Sequence, residues 1–124
     1  MIHMREFMHL AKALADANRV RLVLALRGGE LCACQLTALF GLAQSTMSKH
    51  LAIPYQARLV NTRKHGRWVY FSRPGKDAPA PVRAALAWVD AALAEDAQTV
   101  ADGRRLKQVL KLDPSELYRR QCRP

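Results

Sequence analysis

Three patterns in this sequence predict a mainly α domain that carries one β-hairpin. Apolar residues recur at helical spacing through most of residues 3–57 and again over 80–95. The run Trp68-Val-Tyr-Phe71 breaks that period with aromatic and β-branched residues, as a strand does. Gly41 joins two short helical segments through a tight turn, the plan of a helix-turn-helix. The predicted order is α-α-α-α-β-β-α, with the hairpin as a wing on the helix-turn-helix and the terminal helices forming a dimer.

Each element has its own signal. Residues 3–15 read as a helix with Met4, Phe7, Ala11 and Leu14 on one stripe. Asp16 or Asn18 caps a second helix over about 19–27. That helix is apolar on nearly every side (Val20, Leu22, Val23, Leu24, Leu26), so it is expected to be buried. Gly28-Gly29 ends it. A third helix, about 32–40, turns Leu36, Leu39 and Phe40 inward. The fourth runs from about Ala43 to about Ala57, with Met47 and Leu51 inward.

Inside that fourth helix Pro54 deletes a backbone hydrogen bond and crowds the preceding turn. The cost in a helix interior is on the order of 3 kcal/mol, so a kink or break is expected near Ile53. Arg58 follows; if the backbone there is left-handed, the strain is roughly 1 kcal/mol. Strands at about 59–64 and 67–72 flank a tip at His65-Gly66. Pro74, Gly75, Pro79 and Pro81 mark a connector.

The helix over 80–95 aligns Val82, Leu86, Val89 and Leu93, with Trp88 roughly 120° away. Its second apolar aspect and the spare stripe of the first helix predict a two-fold homodimer. Beyond it, Leu106, Val109 and Leu110 indicate a short amphipathic helix. Asp113-Pro114-Ser115-Glu116 is a helix start, with Asp as cap, Pro at the first position and Glu at the third.

The formal net charge of +10 on 124 residues points to an anionic partner, nucleic acid before a membrane surface. The excess is localised. Residues 41–77 set Lys49, Arg58, Arg63, Lys64, Arg67, Arg73 and Lys76 against Asp77 alone. Residues 103–124 are also strongly basic, while 78–102 are net acidic. Charges at Arg5, Glu6 and Lys12 interrupt any secretory apolar segment, and no apolar run reaches the roughly 18 residues of a membrane span. Three cysteines are too few for a disulfide framework. The expectation is a cytoplasmic protein with free thiols and no membrane partner.

The first turns of the fourth helix carry Gln44, Ser45, Thr46, Ser48, Lys49 and His50. Gln pairs bidentately with adenine in the major groove, Ser and Thr serve bases or phosphates, and Lys or His neutralises phosphate. The wing adds Arg63, Lys64, His65 and Arg67. Residues 1–95 are thus expected to form the DNA-binding and dimerisation domain, and 96–124 a basic C-terminal tail. No nucleophile–base–orienter set and no phosphate-binding glycine loop is legible, so neither an enzyme nor an organic cofactor is expected.

Cys32 and Cys34 stand at the start of the third helix. On a regular helix they diverge by about 200°, so joint ligation of one ion requires a non-helical first turn. Two thiolates without His or carboxylate select soft ions over nickel, cobalt or manganese. A disulfide redox switch and a pair of small core residues are the competing readings. Cys122, among Arg119, Arg120 and Arg123, is the one other thiol.

The runs Glu30-Leu-Cys-Ala-Cys-Gln-Leu36, Gln44-Ser-Thr-Met-Ser-Lys-His-Leu51, Leu59-Val60 and Arg63-Lys-His-Gly-Arg-Trp-Val-Tyr70 together resemble the ArsR/SmtB family of metal-sensing repressors. The resemblance covers about residues 5–95. It implies a dimeric winged helix-turn-helix that represses its own operon and leaves DNA when a metal or metalloid binds. It implies As(III) or Sb(III) as inducer at Cys32 and Cys34, or Cd(II) or Pb(II). The family's third cysteine falls at Thr37, which leaves Cys122 as a third ligand, from the same chain or its partner, or solvent or an exogenous thiol in its place. The family's second metal site is not matched, because 80–95 offers Asp90 and Glu95 without His. Two further departures are Pro54, where Leu is usual, and Arg58, where Gly is usual.

Overall fold

Asp16 starts the helical body by accepting hydrogen bonds from the backbone N–H groups of Asn18 (2.8 Å) and Arg19 (3.2 Å). Burial pushes its carboxyl up, but those two donors and the Arg19 charge outweigh it and hold the group below its usual value. In a computed structural model, which describes residues 2–121, the helices are α1 (Met4–Ala13), α2 (Ala17–Ala25), α3 (Ala33–Phe40), α4 (Gln44–Gln56), α5 (Ala80–Ala92), α6 (Ala97–Val109) and α7 (Pro114–Gln121). The strands are β1 (Leu31–Cys32), β2 (Asn61–His65) and β3 (Trp68–Ser72), and a 3₁₀ turn spans Leu26–Gly28. The winged helix-turn-helix is therefore present, with elements the sequence did not announce.

The sheet has the antiparallel order β1-β3-β2. Leu31 pairs with Phe71 and Cys32 with Tyr70, so the short β1 joins the wing. His65 pairs with Trp68. The two-residue turn is thus Gly66-Arg67, one residue later than the expected tip, and Gly66 takes the positive φ (61°) that starts it.

Leu22, Val23, Leu26, Leu36, Leu59 and Val60 are essentially fully buried in the main core, where α2, α3 and α4 meet. Full burial of each such side chain contributes about 1.5–3 kcal/mol. Met47 and Leu51 anchor α4 to this core as expected. A second cluster joins Cys32, Cys34 and Leu39 to Val109 of α6 and Leu117 of α7.

The α1 stripe read as a spare dimer face lies largely outside the core. Leu10 and Ala13 are the buried residues of the helix, whereas Met4 and Phe7 are exposed. Phe7, Ala11 and Leu14 of that stripe line a groove of about 700 Å³ with Ala84, Ala85 and Trp88 of α5. On α5, Val82, Leu86 and Val89 face inward and Trp88 is 68% exposed.

The expected break at Ile53 is also absent, since α4 runs through Pro54 to Gln56. Pro54 lies in the last turn, so it deletes one ladder bond only, and its ring is buried. Arg58 adopts the left-handed conformation (φ 64°). Its N–H donates to the Tyr55 carbonyl (3.1 Å) and that of Leu59 to the Pro54 carbonyl (3.0 Å), a Schellman closure that satisfies the helix end.

Residues 97–121 hold two helices packed on the body, the first longer than the short amphipathic segment expected around Leu106–Leu110. Arg21 on α2 grips Asp102 on α6 through two hydrogen bonds of 2.8 and 2.9 Å. Arg105 on α6 donates to the carbonyls of Leu39 (2.9 Å) and Ala38 (3.1 Å), occupying the acceptor end of α3. Asp113 starts α7 as expected, with its carboxylate accepting from the Ser115 N–H at 3.0 Å.

Candidate nucleic-acid interface and thiol pair

Gly41 (φ 65°) closes α3 and turns the chain into α4, and its N–H donates to the Thr37 carbonyl at 2.9 Å. Ala43 precedes α4 without any side-chain cap. The first N–H groups of α4 therefore stay available to phosphate oxygens, where the helix dipole favours negative charge. Gln44, Ser45, Ser48 and Lys49 are exposed, and Thr46 and His50 are half-buried. Gln44 and Ser48 border the same cavity as Met47 and Leu51, while Ser45 and Lys49 lie on the far side of the helix.

The wing residues divide by what they touch. Lys64 and His65 are exposed on β2. Arg63 makes two 2.7 Å hydrogen bonds to Glu30 and lies 4.3 Å from the ring centre of Tyr70. That ion pair holds the Glu30 carboxyl below its ordinary value and fastens the segment before Cys32 to the wing. Arg67 stacks over Trp68 (5.3 Å) and Tyr118 (5.0 Å). Asp90 is likewise taken, by Arg73, at 2.9 and 2.7 Å.

The thiol pair departs from the expected geometry. Cys32 is not helical: it is the extended residue before α3 (φ −79°, ψ 159°) and the last residue of β1. Its N–H donates to the Gln35 side chain at 2.9 Å, which fixes that junction. Cys34 lies in the first turn of α3, with its Cα 5.4 Å from that of Cys32, and the two sulfurs are joined as a disulfide. Both residues are about 2–3% exposed. The extended backbone at Cys32 brings the sulfurs together and is the non-helical start that joint ligation requires, while α3 stays regular from Ala33.

Among the described residues no group of three or more His, Cys, Asp or Glu could hold a metal. The disulfide replaces the free thiols expected from the sequence; only after reduction could the pair supply two donors to a thiophilic ion, and a further donor would come from elsewhere. Cys122, the expected third ligand, lies outside the described residues.

The surroundings of the pair were not legible in sequence. Tyr118 meets Trp68 edge to face at 5.5 Å. Gln121 donates through Nε2 to the Cys34 carbonyl (2.9 Å) and accepts through Oε1 from Gln44 Nε2 (3.3 Å). The one sequence signal for this packing was the helix start at Asp113.

Comparison with known proteins places these features in context. The description "Bacterial regulatory protein, arsR family" matches residues 16–62. The arsenic resistance transcriptional regulator ArsR1 of Pseudomonas putida is 40% identical over 95 residues, which cover 73% of this chain and 68% of that protein. The arsenical resistance operon repressor of Escherichia coli is 41% identical over 63 residues, about half of either chain (50% and 54%). Among solved structures, HlyU from Vibrio cholerae superposes with a TM-score of 0.63 at 27% identity, covering 73% of this chain and 95% of that one. A homodimeric winged helix-turn-helix domain from Mycobacterium bovis shares the fold, with a TM-score of 0.63 at 24% identity, covering 76% of this chain and 83% of that one.

Proposed function

The chain belongs to the ArsR family of bacterial transcriptional regulators, which are not enzymes, and from that premise we propose that it is a cytoplasmic repressor that binds double-stranded operator DNA as a homodimer. Gln44, Ser45, Thr46, Ser48, Lys49 and His50 enter the major groove, where Gln44 reads a base and Lys49 neutralises phosphate. Arg63, Lys64, His65 and Arg67 serve the wing's contacts, with Arg63 and Arg67 oriented by Glu30 and by the aromatic rings. The apolar groove between α1 and α5 supports a second copy as the dimer partner. No helix among the described residues is long and apolar enough to cross a membrane. Residues 1–95 form the DNA-binding and dimerisation domain in this reading, and 96–124 a basic extension.

The repressor releases DNA when As(III) or Sb(III), or a soft divalent ion such as Cd(II) or Pb(II), is held by Cys32 and Cys34. The carrying observation is their position. Cys32 is paired with the wing strand at Tyr70, and Cys34 belongs to the first helix of the helix-turn-helix. A ligand shared by both sulfurs changes the joint between the two halves of the reader, which biases one arrangement over another. The third donor is Cys122, from the same chain or its partner, or solvent or an exogenous thiol in its place.

The disulfide favours a second reading, a thiol-redox regulator of the same fold. Reduction by a dithiol delivers two electrons and two protons and yields the free thiols that an ion requires. Fluorescence anisotropy of a labelled promoter fragment separates the two. Arsenite added to reduced protein releases DNA in the first reading, and Cys32→Ser/Cys34→Ser abolishes the response. In the second, peroxide releases DNA, dithiothreitol restores binding, and arsenite does nothing. DNA binding unchanged by all three removes both.

A further inference from the structure

Gln121 occupies a place that the family assignment does not explain. Its amide is committed at both ends, with Nε2 on the Cys34 carbonyl and Oε1 on Gln44, the first residue of the recognition helix. It is the terminal residue of α7, which is pinned by the buried Leu117 and by Tyr118 against Trp68. Arg67 lies over both of those rings, so α7 also touches the turn of the wing. One short helix thus spans the thiol pair, the reader and the wing.

We infer that Gln121 is a positioning residue that transmits the state of the Cys32–Cys34 pair to Gln44. An amide is a rigid plane, so its donor and acceptor move together. When the first turn of α3 shifts, the Cys34 carbonyl moves and the Gln121 plane turns with it. The Oε1 then releases or re-aims Gln44 Nε2, one of the two groups that Gln44 offers an adenine edge. Coupling of this kind is reciprocal: a base held by Gln44 biases the thiol pair through the same amide. The inference rests on the proposed DNA-reading role of α4, and its test does not require DNA.

The test follows the Gln44 side-chain NH₂ resonances of the full-length, ¹⁵N-labelled protein by NMR, before and after dithiothreitol. The disulfide takes two electrons and two protons from dithiothreitol, which leaves as its cyclic disulfide. The expected result is a clear shift in the wild type. In Gln121→Ala the shift is at least threefold smaller. Gln121→Glu keeps the acceptor for Gln44 and loses the donor to Cys34, so it also loses the response while Gln44 stays near its wild-type oxidised position. A purely structural role for Gln121 does not distinguish the variants in that way. An equal response in wild type and both variants overturns the inference, as does no response in the wild type. Promoter affinity on the same samples tests the function itself. A protein whose Gln44 follows the thiols but whose DNA binding does not respond to them retains the coupling and loses the proposed regulatory role.

Discussion

Arg21 and Asp102 form a two-pronged ion pair that ties α2 to α6, with hydrogen bonds of 2.8 and 2.9 Å. Asp102 also accepts from Gln98 at 2.9 Å, and Arg21 lies 4.6 Å from the centre of the Phe40 ring. Asp102→Asn removes the charge and leaves the shape. The expected loss at neutral pH is about 1.5–3 kcal/mol, the range for a hydrogen bond to a charged partner, read by urea unfolding. The pair also gives acid sensitivity a sign. Burial raises the Asp102 carboxyl, but the Arg21 and Gln98 hydrogen bonds outweigh it and hold it below its ordinary value of 3.8. A depressed carboxylate contributes stability that is present above the unfolded value and lost as pH falls through the folded one. The wild type should therefore lose more stability than Asp102→Asn between pH 5 and pH 2, with both limits taken as about one to two units around the ordinary carboxylate value.

Arg58 is a non-glycine residue in left-handed backbone at the end of the recognition helix (φ 64°). Arg58→Gly should raise stability by about 1 kcal/mol, because glycine adopts this conformation without a Cβ clash. Thermal unfolding measures it, and an unchanged or lower midpoint contradicts the strain.

On the reader, Lys49 and Gln44 should fail in different ways. Lys49→Ala is expected to weaken all DNA alike and to lower the slope of log affinity against log salt by about 0.9, one phosphate contact. Gln44→Ala is expected to leave that slope alone and to cost about 1–3 kcal/mol of discrimination at one base position. A titration series over salt and over single-base variants of the promoter distinguishes the two.

Phe7 and Trp88 flank the exposed apolar groove of α1 and α5 and are 55% and 68% exposed in the single chain. Trp88→Glu or Phe7→Glu should shift the protein from dimer to monomer in sedimentation equilibrium, since a buried carboxylate without a partner is strongly disfavoured at an interface. A dimer as tight as wild type places the interface elsewhere.

The parts of the fold legible in sequence were those where local chemistry and tertiary packing agree. Gly41 at a left-handed turn, Asp16 as a cap and Met47 with Leu51 four residues apart each imposed one local outcome. Pro54 misled because the cost attached to proline assumes a helix interior, and here the ring lies in the last turn and fills the core. Helix α6 was seen only at its C-terminal end because two of its three buried residues, Thr99 and Asp102, are polar and leave no apolar stripe. The thiol pair was misplaced for a similar reason. Helical periodicity carries no information about the extended residue that precedes a helix, and Cys32 is that residue.

Burial of the two sulfurs has a kinetic consequence. Cys32 and Cys34 are about 2–3% exposed and share their cluster with Leu117 of α7 and Val109 of α6. With α7 packed over them the sulfurs offer almost no surface to a solute, and local opening of that helix has its own frequency, which no concentration of solute accelerates. Reaction with a small thiol reagent should therefore rise with reagent concentration and then level off at the opening rate. For a thiol pair covered in this way, the rate of reaction is set by the hold of α7 as well as by the reactivity of sulfur.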